Sequence, residues 1–381
     1  MSSTDEWLTI PEIVRAARAH LPTNIWDYSC GGAESETTLR RNRSSFDSIA
    51  FRTRILRGAA RPDTSTTFLG FQLSLPVMLA PVGSIIHFDP DVALACARAA
   101  EAAGTGTFVG TLSSPSMEEV RAGAQGPLFF QLYVRGGRDW IEAMVRRAER
   151  AGYSAICLTA DSGAYGRRER DLHNRFFPRE RAGRPNLEGL PAGSDGRARE
   201  DYQATLTWED LAWLRSITRL PLILKGVSTP EDAKLAVEHG VDVIYVSNHG
   251  GRQLDHGPAT IEVLPEVVRA VRGWADVIVD SGFIRGTDVV KALALGARAV
   301  CIGKLMTWGL AAGGERGLQR AIELLRTEMA IVMTNVGVRS VADIDGSCVR
   351  PSVPPAPDPW PVGARPEPAA LGAGVGLSAV I

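Results

Sequence analysis

A (β/α)8 barrel is the fold that the sequence predicts, and three observations carry that expectation. Eight short apolar runs follow residue 75: PVMLA (76–80), TGTFVG (105–110), PLFFQLYV (127–134), SAICLTA (154–160), LPLILKG (220–226), VDVIYVS (241–247), ADVIVDS (275–281) and ARAVCIG (297–303). Between them lie helix-like stretches such as DVALACARAAEAAG, DWIEAMVRRAERAG, TPEDAKLAVEHG and GTDVVKALALG, most ending in glycine, a common helix stop. Apolar strands alternating with helices imply a parallel sheet, and eight such strands close a barrel. An open doubly wound sheet is the alternative arrangement, but no strand is followed by the G-x-G-x-x-G of a dinucleotide-binding unit.

Ahead of the first strand, residues 1–60 read as a helical segment, opening on an amphipathic pattern, EWLTIPEIVRAARAHLP, that lacks the apolar core of a signal peptide. Residues 161–206 are rich in Arg, Gly and Pro without strand pattern, so they read as a long insertion after the fourth strand, a lid in expectation. The chain is then a single barrel domain over 1–345, followed by a proline-rich irregular tail over 346–381. Composition agrees: 45% apolar and 22% charged residues suit a soluble globular protein with a large core. The net charge of −1 leaves no broad electrostatic case for nucleic acid or a membrane surface. No run approaches the roughly 20 apolar residues of a membrane span. The five cysteines lack C-x-x-C spacing and read as free thiols in a reducing compartment, so a cytoplasmic protein is expected.

Barrel active sites lie at the C-terminal ends of the strands. Those ends carry Gln131 and Tyr133, Thr159 and Asp161, Lys225, Ser247 and His249, Asp280, and Gly303 with Lys304. Each has a bland reading alone: Lys225 as a surface lysine, Asp280 as a helix cap, Tyr133 as core. Together they converge on one barrel mouth. The stretch VSNHGGRQLD (246–255) adds a proton acceptor, His249, and a planar carboxylate clamp, Arg252, across two glycines that permit a tight turn. After strands seven and eight, Gly282 and Gly286, then Gly303 and Lys304, stand before helices, where backbone N–H groups and a cation make an anion site. Ordinary glycine-rich βα turns would look the same. Because His249 and Arg252 describe a substrate end, the phosphate bound there would belong to a cofactor.

These residues carry a resemblance. WDYSCGGAE, LAPVG, TLSS, FFQLYV, LTADSGAYGRRERDLHNRF, LPLILKGV, VSNHGGRQLD, DSGFIRGTD and ALALGARAVCIGK recur in this order in the FMN-dependent α-hydroxy acid oxidases and dehydrogenases, and the chain resembles that family from about residue 7 to about 345. The resemblance implies FMN as cofactor and oxidation of an (S)-2-hydroxy acid to the 2-keto acid. It implies His249 as base, Asp161 as its carboxylate partner, and Tyr28, Arg168 and Arg252 as holders of the substrate carboxylate. Tyr133 would bond the substrate oxygen and Lys225 would stand beside flavin N1. The remaining flavin contacts it implies are Pro81, Val82, Gly83, Ser113, Gln131, Thr159, Ser247, Asp280, Ser281, Gly282, Arg285, Gly303 and Lys304. It further implies a homo-oligomer, a tetramer in many relatives, and O2 as the simplest oxidant, with a dehydrogenase using another electron acceptor as the alternative. No metal is expected.

Four departures from the family pattern shape the expectations. Ile284 and Lys304 stand where relatives carry arginines, which predicts weaker FMN retention, with Arg285 as a candidate substitute. Gly83 stands where many oxidases carry alanine and where, by the resemblance, lactate monooxygenase carries glycine, which raises oxidative decarboxylation as an alternative outcome. The loop after TLSS lacks an aromatic residue, and with Tyr165 and Trp208 near the lid this predicts a reshaped, roomier pocket for a larger 2-hydroxy acid. No haem-binding domain precedes the barrel, so no electron-transfer partner in cis is expected. Two other classes fit parts of the pattern: a phosphate-binding isomerase or aldolase using Lys225 as a Schiff base, and a flavin-binding barrel without turnover.

Overall fold

The computed structural model describes residues 7–83, 91–176, 184–188 and 201–354. All eight expected strands form, shortened at their ends: β1 (Val77–Leu79), β2 (Thr107–Gly110), β3 (Leu128–Leu132), β4 (Ile156–Thr159), β5 (Leu222–Val227), β6 (Val243–Val246), β7 (Asp276–Val279) and β8 (Ala299–Ile302). They pair in parallel in sequence order, and β8 returns to β1 through Cys301 opposite Met78, closing the barrel. The helices between them start and stop on local chemistry. In Pro230–Glu238, for example, the Thr229 hydroxyl accepts from the Asp232 N–H at 3.2 Å and proline occupies the first turn. Gly152, Gly240 and Gly296, each just past a helix, take positive φ, as the glycine-ended patterns predict.

Strand alternation sorts the core into two clusters. Val77, Phe130, Ile156, Leu224, Ile244 and Val279 face outward onto the helices. Met78, Phe108, Phe129, Cys157, Ile223, Tyr245 and Ile278 face inward and fill the barrel. The inner cluster is closed from below by a hairpin that the periodicity does not announce, Thr66–Phe68 paired with Phe71–Leu73. Phe68 meets Phe129 edge-on at 5.5 Å between ring centres. The five cysteines are free thiols, four of them buried.

The N-terminal segment forms helices Ile10–His20, Thr23–Cys30 and Thr37–Ser44. The first lies along the long C-terminal helix Lys304–Val336, which kinks at Gly313 and Gly314, and Arg320 Nε reaches the Trp7 carbonyl at 2.8 Å. The expected domain boundary at 345 is corrected. Strand Val349–Pro351 pairs antiparallel with Ile49–Phe51, so the chain stays part of the barrel body through at least residue 351. The rest of the expected tail, 355–381, lies outside the described residues, as do 177–183 and 189–200 of the expected insertion. The described parts of that insertion contain the short helices Glu169–His173 and Asp201–Ala204. Among the described residues, no helix is long and apolar enough to cross a membrane.

Candidate active site

Reading each strand upward in steps of two leads from the apolar floor to the mouth. On β3 the inward positions run Phe129, Gln131, Tyr133; on β4, Cys157, Thr159, Asp161; on β6, Tyr245, Ser247, His249. A bulge in β5 follows Lys225, where Gly226 takes φ +105°. A Cβ there would lie 2.7 Å from the Asp161 nitrogen, so only glycine lets the two strand ends approach. The NHGG turn is stranger: His249, Gly250 and Gly251 take φ values of 58°, 68° and 73° in succession. The N-terminal segment holds it in place. Asn248 and Asn42 exchange side-chain amide bonds at 2.8 and 2.9 Å, the Gly251 carbonyl accepts from Ala33, and Asp255 accepts from the Thr38 N–H at 2.7 Å.

Three groups form a chain. Asp161 Oδ1 lies 3.0 Å from His249 Nδ1, and His249 Nε2 lies 3.1 Å from the Tyr133 hydroxyl. Burial pushes the Asp161 carboxyl up, but Lys225 and the imidazole outweigh it and hold the group down at about 2. An ionised carboxylate only accepts, so His249 carries its proton on Nδ1 and presents the Nε2 lone pair to Tyr133. Burial draws the His249 pKa below its ordinary value, against the pull of Asp161, so the ring is neutral at pH 7. Burial pushes the Tyr133 hydroxyl up to about 12, leaving it a donor. Lys225 is only 2% exposed and donates to Ser247 Oγ at 2.8 Å. Burial disfavours its charge, but Asp161 at 3.9 Å and Asp280 at 3.8 Å raise its pKa above the ordinary value, so it remains a cation.

These groups open into a cavity of about 820 Å3. Tyr28, Pro81, Val82, Gly83, Tyr133, Arg168, Lys225, His249, Arg252, Asp280, Ser281, Gly282, Gly303 and Lys304 line it, all of them expected. Arg252 Nη1 donates to the Tyr28 and Gly31 carbonyls at 2.6 and 3.0 Å, and its guanidinium lies over the Tyr28 ring. Arg168 donates to the Tyr165 hydroxyl at 2.8 Å and to Gln253 at 3.1 Å. The two arginines therefore arrive in the wall already oriented.

Several expected cofactor contacts bond neighbouring protein groups: Gln131 donates to Thr159 at 2.9 Å, and Ser247 accepts from Lys225 and from the His249 N–H. Ser113 Oγ accepts from the Gly110 N–H inside the β2 turn. Arg285 turns outward to Glu328 at 2.8 Å and does not reach the cavity. The helix start at Gly286 is no anion site either: Glu328 accepts its N–H at 2.7 Å, and Asp288 accepts those of Ile284 and Arg285. Trp208 lies against His239 with the rings tilted and 5.4 Å between centres, whereas Tyr165 lines the cavity.

The sequence reading missed Arg43, Arg135, Arg184 and Gln203, which also line the cavity. Arg43 bonds the Gly282 carbonyl at 2.8 Å and pairs with Asp288. Its place depends on a contact spanning 245 residues, which no local pattern signals. Lys304 donates to the Cys30 and Gly31 carbonyls, and burial, then repulsion from Arg252, pull its pKa down to about 7. Among the described residues no group of three or more His, Cys, Asp or Glu is placed to hold a metal ion.

The residues present fit flavin mononucleotide. The volume lies within the roughly 300–1,000 Å3 of ordinary cofactor pockets. A buried lysine held charged lines the cavity, and Gly282, Gly303 and Lys304 follow β7 and β8, where barrels bind phosphate, with Arg43 of the N-terminal segment bonded to the Gly282 carbonyl. The FMN-dependent dehydrogenase family model matches residues 17–351. Glycolate oxidase 5 of Oryza sativa subsp. japonica is 46% identical over 348 residues, covering 89% of this chain and 94% of the relative. A peroxisomal (S)-2-hydroxyacid oxidase of Arabidopsis thaliana is 43% identical, covering 91% and 97%. Among solved structures, a soluble mutant of the membrane-associated (S)-mandelate dehydrogenase from Pseudomonas putida superposes with a TM-score of 0.85 at 34% identity, over 91% of this chain and all of that one. A mandelate oxidase with (S)-2-phenylpropionate gives 0.81 at 39% identity, over 91% of this chain and 99% of that one. A barrel whose mouth meets the demands of the flavin, matched across nine-tenths of its length by such relatives, belongs to the family of FMN-dependent dehydrogenases.

Proposed function

We propose that the protein oxidises an (S)-2-hydroxy acid to the 2-keto acid, with O2 taking the electrons in turn and leaving as H2O2. The observation that carries this is the Asp161–His249–Tyr133 chain, which delivers a neutral imidazole lone pair into a cavity walled by two oriented arginines. FMN, when bound, supplies the acceptor for the electron pair. Arg252 and Arg168 hold the substrate carboxylate, fixing the α-carbon within reach of His249. His249 Nε2 takes one of the two protons lost as Cα–OH becomes C=O, and Asp161 stabilises the imidazolium that forms. Tyr133 bonds the substrate oxygen. Lys225, kept charged by Asp161 and Asp280, favours negative charge at the floor of the site as electrons leave the substrate. What supports O2 as reoxidant is that several relatives are named oxidases.

The test is anaerobic bleaching of the FMN-loaded protein with S-lactate, S-mandelate, S-4-hydroxymandelate and longer 2-hydroxy acids in turn. Reduction by at least one of them, followed by peroxide release on admitting air, is expected. A bound flavin that none of them reduces would overturn the assignment.

Gly83 favours a second product. Among the described residues, a Cβ there would meet only Tyr133 Cε2, at 3.9 Å, so a larger side chain would stand beside the tyrosine where glycine leaves room. Retention of the keto acid in that space until peroxide decarboxylates it would yield the acid one carbon shorter. Finding keto acid and free peroxide alone rules this out.

A further inference from the structure

A phosphate at the barrel mouth needs a cation that keeps its charge, and the cations that follow β7 and β8 are compromised. Arg43, beside the Gly282 turn, is paired with Asp288, whose Oδ1 lies 2.9 Å from its Nη2, so much of its charge is cancelled. Arg285 is paired with Glu328 outside the cavity. Lys304 is held by two backbone carbonyls, and with a pKa pulled down to about 7 it is half charged at neutrality. Ile284, in the loop after β7, lines the cavity without offering charge.

One further cation lines the cavity beside Arg43. Arg40 stands three residues earlier on the helix Thr37–Ser44, so the two share a helix face, about 4.5 Å apart along its axis. That helix is fixed against the β7 loop. Arg43 donates to the Gly282 carbonyl at 2.8 Å, and a Cβ on Gly282, at φ +90°, would collide with the Asn42 carbonyl. Arg41, the next residue, turns instead to the Gly257 carbonyl and does not line the cavity. Arg40 is exposed and donates to the Ser35 carbonyl at 2.7 Å and to Thr37 Oγ1 at 3.3 Å, both neutral acceptors. Among the described residues no carboxylate pairs with it. A guanidinium has five donors, so these two bonds leave capacity, and a phosphate oxygen offers a bond about twice as strong as a neutral acceptor does.

We propose that Arg40 holds the cofactor's phosphate, as the permanently charged member of a site completed by the Gly282 turn and Lys304. This rests on FMN as the cofactor of the same cavity. The guanidinium exchanges its long Thr37 contact for the phosphate oxygens and closes on them from the N-terminal segment, along the helix face it shares with Arg43.

The test titrates the apoprotein with FMN and with riboflavin, following flavin fluorescence above neutrality, where Lys304 has lost most of its charge. Riboflavin lacks only the phosphate, so the ratio of the two dissociation constants isolates what the phosphate contributes. The wild type is expected to favour FMN. Arg40→Ala should cut that preference about tenfold or more, the loss of one charge-assisted bond, with riboflavin affinity unchanged. Arg40→Lys should keep part of the preference, and adding Ile284→Arg to Arg40→Ala, which returns a charge to the lining, should restore it. Arg41→Ala should leave it as it is. A preference untouched by Arg40→Ala overturns the proposal, as does an equal loss in Arg41→Ala, which would make the effect one of net charge. Equal loss of FMN and riboflavin affinity in Arg40→Ala also overturns it, by making Arg40 a brace of the helix. A wild type that holds riboflavin as tightly as FMN sinks the phosphate site and leaves the flavin reading standing. Binding of neither flavin removes both.

Discussion

At the lower end of the barrel the inward positions are Met78, Phe108, Phe129 and Ile278, stopped by Phe68 and Leu73 of the hairpin. Two residues further up the same strands they are Ala80, Gly110, Gln131 and Asp280, and beyond Gln131 stand Tyr133 and Arg135. The lower group needs nothing but its neighbours, because apolar side chains in contact are stable wherever water is excluded. The upper group is stable only as a set. Lys225 is tolerable in the interior because Asp161 and Asp280 flank it, and each carboxylate is tolerable because Lys225 is charged. One end of the barrel holds the fold together and the other spends that stability on chemistry.

The largest expected effect divides the two ends. His249→Asn, chosen because asparagine tolerates the left-handed backbone found here at φ 58°, should slow flavin reduction by about 10²–10⁴-fold with little change in thermal stability. In the wild type the reduction rate should be flat above about pH 7 and fall on the acid side, because the base must be neutral and burial lowers its pKa below the usual imidazole value of about 6.5. Stopped-flow absorbance across pH checks both. A rate that fell as pH rose would contradict the base assignment.

Phe129→Ala attacks the other end. It should cost about 3–5 kcal/mol in urea unfolding, since the ring is fully buried against Phe68, Phe71 and Phe108. The folded fraction should still reduce its flavin within a few-fold of the wild-type rate. A loss of chemistry equal to that of His249→Asn would show that the two ends are not separable.

The smallest effect sharpens the account of the mouth itself. With a pKa of about 7, Lys304 loses its charge as pH rises through neutrality, so FMN affinity should fall several-fold from about pH 6 to pH 8. Lys304→Arg, charged throughout, should flatten that dependence and tighten retention. Fluorescence titration of the apoprotein with FMN measures it. An unchanged pH profile in the variant would place the phosphate away from Lys304.

How much of this was legible in the chain differs between its parts for physical reasons. The eight strands and the helices between them announce themselves because burial on both faces favours unbroken apolar runs, and many helix ends favour glycine. The hairpin at 66–73 does not, since three-residue strands are too short to carry a period. The role of the N-terminal segment was invisible in the same way. Asn42, Thr38 and Ala33 brace the His249 turn across more than 200 residues, and neither partner's local sequence names the other. Arg285 shows the opposite error. A cation adjacent to a glycine-rich turn looks like a phosphate ligand until Glu328 is found beside it.

The barrel follows from the local periodicity of the chain, and the flavin family with the expected set His249, Asp161, Tyr133, Lys225, Arg168 and Arg252 follows from the resemblance, because the motifs that carry it are contiguous stretches of sequence. The tertiary structure alone decides which cations face the cavity. Arg285 leaves it, Arg43, Arg135 and Arg184 enter it, and Lys304 is muted by burial. A charge acts through distance and desolvation, and both are set by partners far away in the chain.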